Sequence, residues 1–436
     1  MTSERRHKGA ARAGAMALLR QRDFGLLWWA GLISLSGSWM LRIALPVTVY
    51  ELTGSATALA GTTAATYVPW LLLGPWAGVM VDRLDRRRVM IGTNIAQAVA
   101  LLPLLLVRSA ADLWIVIAVA FATSAISTLS NSAENALLPR VVDEEHLLTA
   151  NALNSANNNL ARFTGPLLGG AVAVTGGLFG VVLIDVATFA IAAGLVLLVT
   201  GRHRAEVEGD TTGHPVTRVL RELREGVTTV TSNRVVLIVF AVLAITQVGE
   251  GIFSTLYVVF VSDALGGGSV EFGWLNSAQA VGGVLGGLTA GWFGARLSPR
   301  ILTGFGLILF GFIDLVIFNY PQWYQGLSPA IVLMIVVGVP SAVSMAAFLT
   351  IMQTEVPDRL RGRVFALLTA VLAVCLLAGV TLAGATAGTV DVITMLNIHG
   401  ATAALAGLAV LVLLRGHSST PTTTKPAAPP VADAQP

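Results

Sequence analysis

Apolar runs of about twenty residues recur along the chain, each closed by charge, Pro/Gly or Asn, and twenty is the number a helix needs to cross a bilayer at 1.5 Å per residue. The first six predicted spans are Leu26 to Val49, Ala58 to Val81, Val89 to Val107, Leu113 to Leu138, Leu153 to Ala173 and Phe179 to Thr200. The second six are Val235 to Val261, Phe272 to Phe293, Ile301 to Phe318, Ala330 to Met352, Val364 to Ala387 and Ile393 to Leu414. The pattern changes in two places. Gly201 to Arg234 is polar, and Val216 to Val230 alternates Leu/Val with Arg/Glu at helical spacing, which predicts an amphipathic helix on the membrane surface. The end of the chain, from His417, is Thr/Pro/Ala-rich and is expected to be disordered. The expected organisation is an N-terminal arm (1–23), a six-helix bundle (24–200), a linker (201–234), a second six-helix bundle (235–415) and a tail (416–436). The predicted class is an all-α membrane protein with twelve transmembrane helices in two pseudo-symmetric six-helix bundles.

Composition supports the same class. Of 436 residues, 55% are hydrophobic and only 12% charged, about half the roughly 25% of a soluble domain, which excludes a soluble enzyme. One cysteine, Cys375, rules out an intramolecular disulfide. The basic start (Arg5, Arg6, Lys8, Arg12, Arg20, Arg22) leads into a long apolar segment with no short h-region or cleavage site, so the first helix is read as retained. Of 27 Lys and Arg, 24 fall on one side of the predicted spans, Arg108 alone on the other, and Arg42 and Arg162 inside spans. The positive-inside rule then places both termini and the central loop in the cytoplasm, with the chain in the cell (inner) membrane. The net charge of +3 therefore marks orientation rather than a nucleic-acid partner, since no basic soluble face gathers it.

Two loop signatures recur about half a chain apart. Gly78 to Arg87 has a degenerate counterpart in Gly291 to Arg300, and Val142-Asp143 lines up with Pro357-Asp358. Such a parallel repeat belongs to transporters that rock two bundles about a midplane site. The loop Gly78 to Arg88 matches G-x-x-x-D-R-x-x-R-R, and Gly165-Pro166-Leu167-Leu168-Gly169-Gly170 matches G-P-x-x-G-G. With Asn135 to Pro139 and Arg361 to Phe365, these stretches resemble the major facilitator superfamily, and within it the drug:proton antiporters of the macrolide-efflux and siderophore-exporter branch. The likeness covers roughly Phe24 to Leu414.

The resemblance implies a conformational latch formed by Gly78, Asp82, Arg83, Arg86 and Arg87 with Arg361 and Arg363 at the start of the eleventh helix. The alternative is that these arginines only fix topology. It also implies an export and leak-resistance role for Gly165, Pro166, Gly169 and Gly170, which by themselves offer close packing and a bend at Pro166. Ionisable residues inside spans are functional by default. Glu250, flanked by glycines in the seventh helix, is the candidate proton carrier, with permanent pairing to Arg42 or Arg162 as the alternative. Members of the resembling branch often carry an acid in the first helix where this chain has Gly37-Ser38-Trp39. One repeat-length on, Gly37 corresponds to Glu250, so the acid is read as moved to the symmetry-related helix, with Arg42 its companion in coupling. Trp39, Tyr67, Trp70 and Tyr257 are candidate stacking platforms for an aromatic or cationic ligand, or core packing. Asn151, Asn154, Asn158 and Arg162 fall on one helical face and are expected to line the cavity, with Glu134 a candidate for cationic groups or a solvated helix end. Asp185 and Asp314 read as packing or gate residues, and His399 as a satisfied polar group.

There is no Walker loop and no Cys/His cluster, so neither ATP hydrolysis nor a metal or other cofactor is expected, and no Ser-His-Asp or paired-aspartate arrangement suggests an enzyme. The favoured expectation is a monomeric secondary transporter exporting amphiphilic, drug- or macrolide-like molecules in exchange for protons by alternating access. Its partners are the small-molecule substrate, protons and the lipid bilayer. The alternatives are a dedicated exporter of an endogenous siderophore or secondary metabolite, or a lysophospholipid flippase.

Overall fold

The structure is a computed structural model that describes residues 14–82, 84–200, 215–294 and 296–415. Its helices are α1 (Arg22–Thr53), α2 (Ala56–Asp82), α3 (Arg86–Leu101), α4 (Leu113–Val141), α5 (Leu147–Leu197) and α6 (Pro215–Ser232). They continue as α7 (Arg234–Val259), α8 (Ser269–Gly294), α9 (Pro299–Asn319), α10 (Ser328–Glu355), α11 (Asp358–Thr386) and α12 (Val392–Leu413). In a membrane every backbone amide must be satisfied within the protein, and an all-helical chain does this span by span.

Among the described residues, nine segments are long and apolar enough to cross a membrane. One of them contains α5, whose 51 residues turn back at Gly177 (φ 58°, ψ −161°), a conformation open to glycine because it has no Cβ. α5 thus supplies the fifth and sixth predicted spans as two arms. With α2 and α8, at 27 and 26 residues also of crossing length, the architecture fits the predicted twelve crossings in two six-crossing halves. The predicted surface helix is α6, one residue longer at its start and two at its end than the pattern indicated. Residues 1–13, 201–214 and the tail from 416 lie outside the described residues.

The repeat is visible in contacts as well as loops. Arg87 caps the end of α5, donating from Nε to the Val196 carbonyl (3.2 Å) and from Nη2 to that of Leu197 (2.5 Å). Arg300, its repeat counterpart, caps α12 by donating to the Leu411 carbonyl at 2.5 Å. Asp85 accepts from the Arg88 amide at the start of α3, and Ser298 from the Ile301 amide at the start of α9, both N-caps of the usual kind. The two halves then meet across the pseudo-two-fold axis: Tyr50 Oη donates to Asp263 Oδ2 at 2.7 Å, between residues 213 positions apart.

Helices approach closely where small residues face each other, the main device for packing inside lipid. In the C-terminal half Gly251 abuts Gly379 and Gly311 abuts the Gly400 backbone. In the N-terminal half α1 is fastened to α5, with Trp28 Nε1 donating to the Leu153 carbonyl at 3.0 Å and Asn157 Nδ2 to the Trp28 carbonyl at 2.8 Å.

Candidate transport site

The ends of the molecule differ in charge: α2, α4, α8 and α10 end, and α3, α5, α9 and α11 begin, at an arginine-rich end, and the turns after α1, α3, α7, α9 and α11 lie at an arginine-poor one. The described contacts between the halves gather toward the arginine-poor end. Besides Tyr50 and Asp263, Thr57 Oγ1 donates to the Gly384 carbonyl at 3.2 Å, and Ser277 Oγ to the Phe163 carbonyl at 2.8 Å. Deeper in, Tyr67 and Ala64 pack against Leu376 and Val380.

The G-P-x-x-G-G element serves both halves. A Cβ at Gly165 would strike Trp39 of α1, and one at Gly169 would stand 2.7 Å from the Met40 Cα and carbonyl, so this face seats α5 on α1. The next position faces the other half: a Cβ at Gly170 would lie 2.6 Å from the Ser269 carbonyl oxygen and 3.0 Å from Val270 Cα. The Pro166 carbonyl rests against Gly273 of α8. The packing expected from sequence is therefore present, and its partner includes the opposite bundle.

Between the halves, cations and an aromatic ring come from one side and a carboxylate from the other. The Arg42 guanidinium carbon sits 4.8 Å from the Trp39 ring centroid and that of Arg162 5.9 Å, so the ring is flanked by both cations. Arg162 also reaches Gln279 of α8 at 3.5 Å. Glu250 is 44% exposed, within Coulombic reach of Arg162, and Tyr67 lies within reach of both Arg42 and Glu250. The ionic partner of Glu250 is not an arginine but His399, with Oε2 3.6 Å from Nε2. His399 Nδ1 in turn lies 3.0 Å from Asp314 Oδ2. Sequence reading set His399 and Asp314 aside as polar packing; three helices bring them to Glu250, and only the shared rarity of ionisable groups in apolar spans pointed to them.

Other predicted site residues divide between core and exposed positions. Tyr257 is 3% exposed and stacked on Phe253 with centroids 4.5 Å apart, a core contact rather than a cavity platform. Trp70 is 40% exposed. In the predicted asparagine stripe Asn158 is exposed and Asn154 half-buried, whereas the buried asparagine is Asn157, which holds α1. Glu134, half-buried on α4, is turned toward Gly31 of α1.

The latch residues divide. Gly78 and Asp82 lie on α2, but their surroundings, and Arg83 altogether, lie outside the described residues. Arg86 is buried at 8% exposure. Arg87 stays within its own half as the α5 cap described above. Arg363 pairs with Glu225 of α6, and Arg361 with Asp358 and the Gln353 carbonyl. In this arrangement α11 is tied to the linker helix, a contact absent from the sequence reading because Glu225 and Arg363 are distant in the chain.

The sequence profile of the transmembrane secretion effector family matches residues 13–431. The chain belongs to that family, within the major facilitator superfamily. This family member is similar to macrolide efflux protein A of Streptococcus pyogenes, 25% identical over 364 residues that cover 82% of this chain and 88% of that protein. It is likewise similar to multidrug efflux pump Tap of Mycobacterium tuberculosis, 26% identical over 355 residues, 79% of this chain and 82% of that one. In fold it is similar to a bacterial homologue of the iron transporter ferroportin in an inward-facing state, with a TM-score of 0.71 and 16% identity over 90% of this chain and 98% of that one. The secretion effector described here is thus a multi-pass efflux transporter of the major facilitator type, and not an enzyme.

Proposed function

We propose that this transporter exports amphiphilic small molecules of the drug or macrolide kind across the inner membrane in exchange for protons, by alternating access of a site between its two halves. Arginine loops and termini face the cytoplasm in this reading, so the described contacts close the outer end and the site faces inward. The observation that carries it is the mixed site itself. A carboxylate on α7 stands free of any arginine pair while Trp39, with Arg42 and Arg162 beside it, faces the same gap. A ligand with an aromatic part and a basic group finds an aromatic wall on one side of the gap and, on the other, an acid to pair with its charge, and protonation of Glu250 removes that attraction. The similarity to macrolide and multidrug efflux proteins supports the substrate class. The latch formed by Asp82, Arg83 and Arg86 with the start of α11 belongs to the opposite, outward-facing state in this reading.

The test is ethidium and macrolide efflux from energised cells, with and without a protonophore, for wild type and Glu250→Gln. Wild type is expected to lose efflux when the gradient is collapsed, and the variant to lose at least tenfold of gradient-driven efflux. Efflux untouched by the protonophore contradicts proton exchange. A wild type that moves neither probe, but does move an endogenous siderophore or a lysophospholipid, replaces the substrate class.

A further inference from the structure

The C-terminal half holds more titratable chemistry than Glu250 alone. His399 and Asp314 are each 5% exposed in their side chains, and the imidazole is fixed in place. Phe253 stacks on it at 5.0 Å with 21° between planes, Phe310 meets it edge-on at 5.5 Å, and Gly249 gives α7 a seat against its Cα and Cδ2. Its two nitrogens thereby lie beside two carboxylates of different exposure: Asp314 Oδ2, deep in the half, at 3.0 Å but out of hydrogen-bond alignment, and Glu250 Oε2, at the gap, at 3.6 Å. The titratable groups that α7 and α9 turn toward this cluster are Glu250, Tyr257 and Asp314, with Tyr320 just beyond. The arginines of α7 and α9, Arg234 and Arg300, stand at the helix starts, so the fixed cation that acts on this cluster is Arg162, which reaches Glu250 from across the gap.

A cavity of about 210 Å³ adjoins this cluster. All its lining comes from α7, α9, α10 and α12, so it lies inside the C-terminal half and not in the gap between halves. It runs from Glu250 and His399 past Thr246, Gln247, Ser341 and Ser344 as far as Val239, roughly 16 Å of helix toward the arginine-rich end at 1.5 Å per residue. Its volume has room for several waters, whose polar partners are Thr246, Gln247, Thr303, Ser341 and Ser344, while the stretch of α7 from Leu243 to Val239 lines it with apolar side chains. Ser344 Oγ, 4% exposed, has no hydrogen-bond partner among the described residues, and a buried hydroxyl left so is costly.

We propose that the proton has a route of its own inside the C-terminal half, passing between Glu250 and Asp314 by way of His399 and reaching the arginine-rich side through this cavity rather than through the substrate's cleft. With a small rotation of the two carboxyl groups into hydrogen-bond alignment the transfer balances: the Glu250 carboxyl gives its proton to Nε2 as the Nδ1 proton passes to the Asp314 carboxylate. Glu250 is left ionised, Asp314 neutral, and the imidazole with one proton as before. The reverse transfer resets the ring. The proposal rests on the proton-exchange reading above.

The test uses inside-out membrane vesicles and ethidium, reading the ratio of transport with an imposed pH gradient to transport without one. Lost folding lowers both rates, whereas lost coupling lowers their ratio. His399→Gln and Asp314→Asn are expected to lower the ratio at least tenfold and to change the pH profile of the driven rate. Ser344→Leu, which fills the cavity without touching the cluster, is expected to lower the driven rate several-fold. Ser344→Cys in a Cys375→Ala background is expected to react with a small methanethiosulfonate added at the arginine-rich side at a rate that saturating ethidium does not alter. Variants with the wild-type ratio and pH profile overturn the route while leaving proton exchange standing. Protection of the introduced cysteine by ethidium overturns the separation of the two paths. Wild-type transport that is indifferent to the gradient overturns the exchange reading and the route together.

Discussion

The two halves share a fold and a set of caps, yet at equivalent midplane positions they carry different chemistry. In the N-terminal half Gly37 leaves space that Asp185 and Thr188 fill, and Asp185, 1% exposed, accepts from the Thr188 hydroxyl of its own helix at 3.2 Å. One repeat-length on, Glu250 replaces the glycine, Asp185 falls at Ile398, next to His399, and Asp314 stands where the N-terminal half has Leu101. The cations are distributed the other way: Arg42 and Arg162 of the N-terminal half correspond to Thr255 and Cys375 of the C-terminal half. A duplicated scaffold has thus kept its fasteners in duplicate and divided its charge, with cations on one wall of the gap and titratable acids on the other. What is shared between the halves reads as architecture, and what differs reads as transport.

That division can be broken by transplanting its parts. Gly37→Glu puts a second carboxylate where a Cβ already meets the Asp185 carboxylate and the Thr188 hydroxyl. An uncompensated buried charge costs about 3–5 kcal/mol, so the expected outcome is loss of folded protein in size-exclusion chromatography, even in a Glu250→Gly background. Recovery of transport by that double exchange would show the halves to be interchangeable.

Gly170→Val sharpens the comparison at the boundary between halves. Its side chain meets backbone of α8, and overpacking of this kind costs about 1–3 kcal/mol. Because the contact joins the halves, the cost falls on the arrangement closed at the arginine-poor end. Spin-label distances across that end should lengthen, with roughly 5- to 150-fold loss of the closed population. Gly169→Ala, whose Cβ meets α1 of its own half, should instead lower the melting temperature and leave the distances alone.

Smaller effects test what is shared. Arg87→Gln removes two donated bonds from helix-end carbonyls and Arg300→Gln one, at about 1 kcal/mol of stability per bond, so thermal unfolding should shift further for Arg87→Gln while neither alters transport. Altered transport from Arg87→Gln alone would restore Arg87 to the latch. Tyr50→Phe removes one hydrogen bond between the halves, about 0.5–1 kcal/mol, and should open the arginine-poor end by no more than fivefold.

Much of the fold was legible because lipid imposes a simple code. Span lengths, the surface helix and the repeat follow from hydropathy and spacing, and the repeat appears in Arg87 and Arg300, which cap α5 and α12 alike. Less of the site could be read. The G-P-x-x-G-G stretch announced close packing, but its glycines have no side chains to say which neighbour they face, and only the fold shows Gly170 against Ser269. Glu250 stood out as a lone acid in an apolar span. His399 and Asp314 stood out equally but were read as isolated, because their meeting depends on the packing of α7, α9 and α12 and not on spacing along any one helix. Periodicity placed Asn154 and Asn158 on one face but gave no role to Asn157, which holds α1, because that contact depends on the packing of α1 against α5.

The central claim is that the C-terminal wall carries the proton and the N-terminal wall does not. The most direct measurement counts protons released from purified, weakly buffered protein when ethidium binds, in wild type and in Glu250→Gln. Wild type is predicted to release protons in proportion to ethidium bound and Glu250→Gln to release none. Equal release from the two would contradict the account.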